Sequence, residues 1–177
     1  MPEENKAQAT FWWAEVAFQR AAEQLKASST SGTLDSAFVK EIVPRYEKYL
    51  ATNDSNYRPL AAFRLGQLYQ SIDQPQQAVT AYQQYLKTKD EAFQQEAHYK
   101  LGMLHARQNE PKLALEQLLP LRSQERYRKE PGFWTILIQQ YDALGSKSNA
   151  EQILRDAYQN ESFQRNTQLR FLQELAN

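Results

Sequence analysis

The apolar positions of the chain fall into three stretches that repeat one another at a constant offset. Ala62, Leu65, Gly66 and Tyr69 are followed by Ala78 and Tyr82. Thirty-six residues on, the pattern returns as His98, Leu101, Gly102 and His105, then Ala114 and Leu118. A further thirty-six give Trp134, Leu137, Ile138 and Tyr141, then Ala150 and Leu154. The first four positions of each copy stand at i, i+3, i+4 and i+7, one stripe of a helix. A turn follows each stripe: Asp73-Gln-Pro75, Asn109-Glu-Pro111 and Gly145-Ser-Lys-Ser148. In the first two, proline suits the opening turn of the next helix, where its missing N–H costs little. Each copy therefore predicts a helix pair. Gly66 and Gly102 let the partner helix approach closely, and Ile138 replaces that glycine in the third copy.

Counting back thirty-six from Tyr82, Tyr85 and Leu86 gives Tyr46, Tyr49 and Leu50. That predicts a helix over Phe38–Ala51, paired with an Ala-, Phe- and Trp-rich helix over Ala9–Ala27. Between them Ser28-Ser-Thr-Ser-Gly-Thr33 reads as a loop and the most flexible stretch of the domain. At the other end Phe163, Leu169, Leu172 and Leu175 form the apolar positions of a capping helix over Glu161–Ala176. Nine helices result. The Leu-Gly and Tyr of the first helix, with the Ala and aromatic of the second, resemble the tetratricopeptide repeat (TPR), whose period is usually about 34 residues. The resemblance implies an all-α, right-handed α-solenoid of about four hairpins: residues 9–51, 57–87, 93–123 and 131–159, capped by 161–176. The expected organisation is a single domain over 1–177.

Composition narrows function more than fold. The 177 residues carry 21 Lys plus Arg and 21 Asp plus Glu, a formal net charge of zero. That balance disfavours a general nucleic-acid binder, which needs a basic field to displace counterions. No cysteine is present, so disulfides, thiolate nucleophiles and Cys-bound zinc are excluded. No apolar run approaches the roughly 20 residues that span a bilayer, and Met1–Gln8 lacks the apolar core of a signal peptide.

Candidate chemistry is sparse. His98 and His105 are the only histidines; two helical turns, roughly 10 Å at about 1.5 Å per residue, separate them, so they cannot share a metal ion. Both occupy positions that the repeat reserves for core. No phosphate loop, nucleophile elbow or His-Glu-x-x-His motif occurs. Asp90, Glu91 and Glu96 read as charges at a helix start. The expectation is a protein with no catalytic residues, no cofactor and no metal. Arg122, Arg126, Arg128 and Lys129 form a basic cluster interrupted by Glu125 and Glu130. It reads as a solvated linker with local ion pairs, or as a contact for an acidic peptide or lipid head group, with Tyr127 adding a stacking surface. Phe11-Trp12-Trp13 cannot all face one side of a helix, so at least one ring is expected to be exposed or covered by another chain. An end cap, a homodimer contact and a membrane-proximal position all fit it.

In the TPR family the first helix of each pair lines the concave face. By register the positions facing inward without entering the core are Leu60, Phe63, Gln67 and Gln70, then Glu96, Tyr99, Met103 and Arg107, then Thr135, Gln139 and Asp142. The resemblance implies a groove for a peptide or helix of a protein partner, with Phe63, Tyr99 and Met103 as anchors. The Lys/Arg/Asn clamp by which some members hold a C-terminal carboxylate is replaced here mainly by Phe63, Gln67 and Tyr99. The run Tyr46-Glu-Lys-Tyr-Leu50, then Tyr57-Arg-Pro-Leu-Ala-Ala-Phe-Arg-Leu-Gly-Gln67, is also similar to the TPR-like periplasmic domains of bacterial Sec translocon ancillary subunits. That resemblance implies a bacterial envelope setting, the periplasm, and a transmembrane anchor just before the stretch matching Glu3–Phe18, removed upstream of residue 1. The leading expectation is a non-catalytic adaptor; the alternative is a self-assembly module.

Overall fold

In the computed structural model of the protein, residues 3–27 and 34–175 are described. The Ser28–Thr33 loop, expected to be the most flexible stretch, lies outside them. The described residues form ten α-helices and one 3-10 helix, with no strand. They group into two compact units, one up to Ala97 and one from His98, and the division falls inside a helix.

The first unit holds α1 (Glu3–Ala27), α2 (Ser36–Leu50), α3 (Arg58–Ser71), α4 (Pro75–Leu86) and the first residues of α5 (Gln94–Arg107). Consecutive helices from α1 to α4 pack on one another. α1 buries Ala7, Phe11, Ala14 and Phe18, one stripe at helical spacing. These meet Val39, Ile42, Tyr46 and Tyr49 of α2 and Leu65 and Leu68 of α3. Gly66 lies where a Cβ would stand 2.6 Å from the Tyr82 ring, so the close approach expected of it is real.

The second unit continues with the rest of α5, α6 (Pro111–Leu118), a 3-10 helix (Leu119–Ser123), α7 (Glu125–Arg128), α8 (Pro131–Ala143), α9 (Lys147–Tyr158) and α10 (Arg165–Leu175). α8 packs on α9, α9 on α10, and α6 on α8. Leu118, Leu137, Ile153, Ala157 and Phe171 are among the buried members of its core. Gly102 repeats the close approach, its Cβ position lying 2.5 Å from Leu118 Cγ. Ile138, which replaces that glycine in the third copy, is itself a core residue.

The repeat is visible in the backbone. Asp73, Asn109 and Gly145, each thirty-six apart, adopt φ of 55°, 57° and 66°. At each, the next amide reaches back to a carbonyl of the preceding helix: Gln74 to Tyr69, Glu110 to His105 and Ser146 to Tyr141, all at 2.9 Å. This left-handed cap ends α3, α5 and α8. Asp and Asn tolerate it better than other non-glycine residues. A Cβ at Gly145 would meet nothing within 4 Å, so Gly145→Ala isolates the backbone penalty. It is expected to lower stability by about 1 kcal/mol, read as a fall in urea midpoint at unchanged slope, with Gly145→Asn losing less.

The opposite turns repeat as well. Tyr49 OH accepts from Tyr57 N at 2.9 Å, and Tyr85 OH accepts from Phe93 N at 2.8 Å. Asp54 Oδ1 accepts from Asn56 N at 2.9 Å, and Asp90 Oδ1 from Ala92 N at 3.0 Å. Thr52 and Thr88 hydroxyls donate to the Tyr49 and Tyr85 carbonyls, both at 2.7 Å. A buried tyrosine thus holds the amide that opens the next pair. Burial, outweighing the Phe93 amide and helped by Asp90, pushes the Tyr85 phenol up to about 12.

Three expectations are corrected. The second helix of the 93–123 pair stops at Leu118, because Pro120 offers no N–H to continue its hydrogen-bond ladder; a 3-10 turn and α7 follow, so helices number more than nine. α1 begins at Glu3 rather than Ala9. On α10 the buried residue is Phe171, stacked on Phe163 at 5.8 Å, while Leu169 and Leu172 are 44% and 41% exposed. The larger ring takes the core side, and Leu169 and Leu172 face outward.

Candidate binding surfaces

The residues expected in a groove are placed differently from one another. Phe63 is 1% exposed and stacks on Phe93 at 4.5 Å. It belongs to the core of the first unit and cannot anchor a ligand. Its register position faces the aromatic that begins the next pair, which draws the ring inward. Leu60 is half-buried against that core. Gln67 accepts from Arg64 Nη1 at 3.0 Å, and Gln70 accepts from Tyr82 OH at 3.2 Å, so both amides are engaged. Burial first, then the Glu96 charge, raises the Tyr82 phenol far above its ordinary value. In the second unit Tyr99 is half-buried, stacked on Tyr127 at 5.0 Å. Met103 and Thr135 are half-buried, whereas Arg107, Gln139 and Asp142 are exposed.

Of Phe11-Trp12-Trp13, Phe11 is fully buried, stacked on Tyr57 at 4.7 Å, and is no contact for another chain. Trp12 and Trp13 are each 46% exposed, as the helical spacing required. Together with Val16, Ala17 and Arg20 they line a shallow depression, and the Arg45 guanidinium lies 3.7 Å from the Trp13 ring.

The histidines are packed residues. His105 is 5% exposed, with Nδ1 2.6 Å from Glu110 Oε2; His98 Nδ1 lies 2.9 Å from Gln117 Oε1. In the basic cluster Arg122 bonds Asp156 at 2.9 Å and Lys129 pairs with Glu125, an ion pair that draws the Glu125 carboxyl below its ordinary value. Tyr127, expected as a stacking surface, is buried under Tyr99.

Sequence reasoning missed two features, both in the first unit. Glu15 is 2% exposed. Its carboxylate accepts from Arg64 Nη2 at 2.7 Å and Nε at 3.0 Å, from Tyr46 OH at 2.8 Å and from Gln19 at 3.0 Å. Burial pushes this carboxyl up, but the Arg64 hydrogen bonds and charge, with Tyr46 and Gln19, outweigh it and hold it below the ordinary value. The second feature is a cavity of about 540 Å³ on the α2/α4 side of α3. Leu50, Leu65 and Ala81 give it an apolar floor, and Gln76, Gln77 and Gln84 of α4 a rim of amides. Glu47 and Tyr69 also line it, and the Tyr69 hydroxyl donates to the Glu47 carboxylate. The only local signal was the spacing of the glutamines along α4.

The helical fold has known counterparts. One crystal structure of MamA superposes with a TM-score of 0.56 at 17% identity, covering 79% of this chain and 88% of that one. A second crystal structure of MamA protein gives 0.59 at 15% identity, covering 92% and 89%. The likeness shows the fold. The chain has the all-α, TPR-like solenoid architecture that its repeat predicted. No family model matches it, and no curated protein is similar in sequence.

Proposed function

We propose that the protein is a non-catalytic scaffold that holds a peptide or helix of a partner protein. The observation that carries this is the first unit's cavity. Its apolar floor removes a partner's side chain from water, and its amide rim supplies both donors and acceptors to a partner's backbone. Two further candidates for the same role, one in each unit, are the positions Leu60, Gln67, Gln70 and Glu96 in the first and Tyr99, Met103, Arg107 and Gln139 in the second. We place the scaffold in a bacterial envelope complex on the likeness of Tyr46–Leu50 and Tyr57–Gln67 to translocon ancillary domains. A photoreactive residue introduced at Gln77 or at Gln139 tests the reading in native extract. A partner crosslinked at Gln77 supports the cavity, and one at Gln139 alone moves the site to α8. A scaffold that crosslinks at neither position is refuted.

One observation favours self-assembly as a second reading: Trp12, Trp13 and Val16 expose adjoining apolar surface on α1. Light scattering across a hundredfold concentration range is then expected to show a mass that rises with concentration, and Trp13→Ala to abolish the rise. A constant single-chain mass would rule self-assembly out.

A further inference from the structure

Glu47 is the one charged residue lining the first unit's cavity. Glu47 is exposed, shares the lining with the apolar Leu50, Leu65 and Ala81, and accepts from the Tyr69 hydroxyl, which orients its carboxylate. Burial, then the hydrogen bond and charge of Glu47, raise the Tyr69 phenol well above its ordinary value, so this donor keeps its proton. One carboxylate oxygen is thereby engaged, and the other has no partner among the described residues.

We infer that the cavity takes a segment of a partner protein in which a large apolar side chain stands next to a lysine or arginine. The apolar side chain covers Leu50, Leu65 and Ala81. The cation meets Glu47, and the Gln76, Gln77 and Gln84 amides pair with the segment's backbone. A segment with an acidic neighbour is rejected, because its carboxylate would face Glu47 with no cation lining the cavity. The inference rests on the scaffold reading above and specifies its ligand.

The test uses fluorescence anisotropy on the full chain with peptides carrying one leucine or tryptophan anchor flanked by lysine, glutamine or glutamate. Lysine-flanked peptides are expected to bind tightest. Glu47→Gln keeps an acceptor for Tyr69 while removing the charge, and should weaken their binding about fivefold, as for one exposed ion pair. High salt should remove most of that difference. Thr80→Trp, at an exposed rim position, should block every peptide while leaving the circular dichroism unchanged. Binding that ignores the flanking charge and Glu47→Gln overturns the inference and leaves the scaffold reading standing. Binding unaffected by Thr80→Trp does the same, because the peptide then sits elsewhere. If no peptide binds and neither photoreactive position crosslinks a partner, both fail.

Discussion

Glu15→Ala should lower stability by about 3 kcal/mol, the scale for breaking one partner out of a buried ion pair. In a chain of this length that is a fall in Tm of roughly 10 °C. The loss exceeds the worth of any one bond. The side chain joins α1 to α2 through Tyr46 and to α3 through Arg64, so its removal leaves Arg64, only 16% exposed, without a counter-ion. Glu15→Leu with Arg64→Met removes both charges while keeping volume, and should recover most of the loss. The same group sets an acid limb. Its folded carboxyl lies below the ordinary value, so the unfolded chain binds the proton more readily. The stabilisation is therefore fully present above the ordinary carboxylate value of about 4.3 and is lost as pH falls through the lower folded value. Urea midpoints measured from pH 7 down to pH 3 should drop less steeply below that value for Glu15→Gln than for wild type. Parallel acid limbs would show that Glu15 does not carry the effect.

That network also marks what the sequence can and cannot disclose. The thirty-six-residue period was legible because it is local: each stripe, turn and close approach recurs within one helix pair. Its left-handed caps at Asp73, Asn109 and Gly145 fell at the turns that Asp73–Pro75, Asn109–Pro111 and Gly145–Ser148 announced. Long-range pairing was not legible. Nothing in the neighbourhood of Glu15 names Arg64 as its partner, forty-nine positions on. Register alone misplaced Phe63, because its environment depends on Phe93, an aromatic contributed by the following turn. Phe11 repeats the arrangement against Tyr57 and was misplaced for the same reason. On α10 two apolar faces competed, and counting leucines favoured the face that Phe171 left outside. The cavity escaped notice because three separate helices build it and no single segment carries its pattern.

Gly66→Ala should lower stability by about 2 kcal/mol even though alanine is the better helix former. Propensity alone favours the substitution by about 1 kcal/mol, and overpacking a full core costs about 1–3 kcal/mol or more. The geometry decides between them. The new Cβ would lie 2.6, 2.7 and 2.8 Å from three carbons of the Tyr82 ring. That ring cannot step aside. It is fully buried, set edge-on to Phe63 at 5.8 Å, and tied through its hydroxyl to Gln70. Relief therefore requires α3 and α4 to separate, which opens the core on both sides of the contact. Tyr82→Leu removes the blocking ring and costs stability by itself, yet the double variant should be less destabilised than the sum of the two singles. The cycle reads that coupling directly, at about 1 kcal/mol or more for residues in contact. A Cβ at Gly102 would stand 2.5 Å from Leu118 Cγ, 2.7 Å from one of its methyls and 3.3 Å from the Ala114 carbonyl oxygen. A leucine can change rotamer where a clamped ring cannot, so the second glycine should be the more forgiving. Thermal unfolding of both single variants tests that order. A smaller loss at Gly66 than at Gly102 would show that the rigid ring is not what closes this contact.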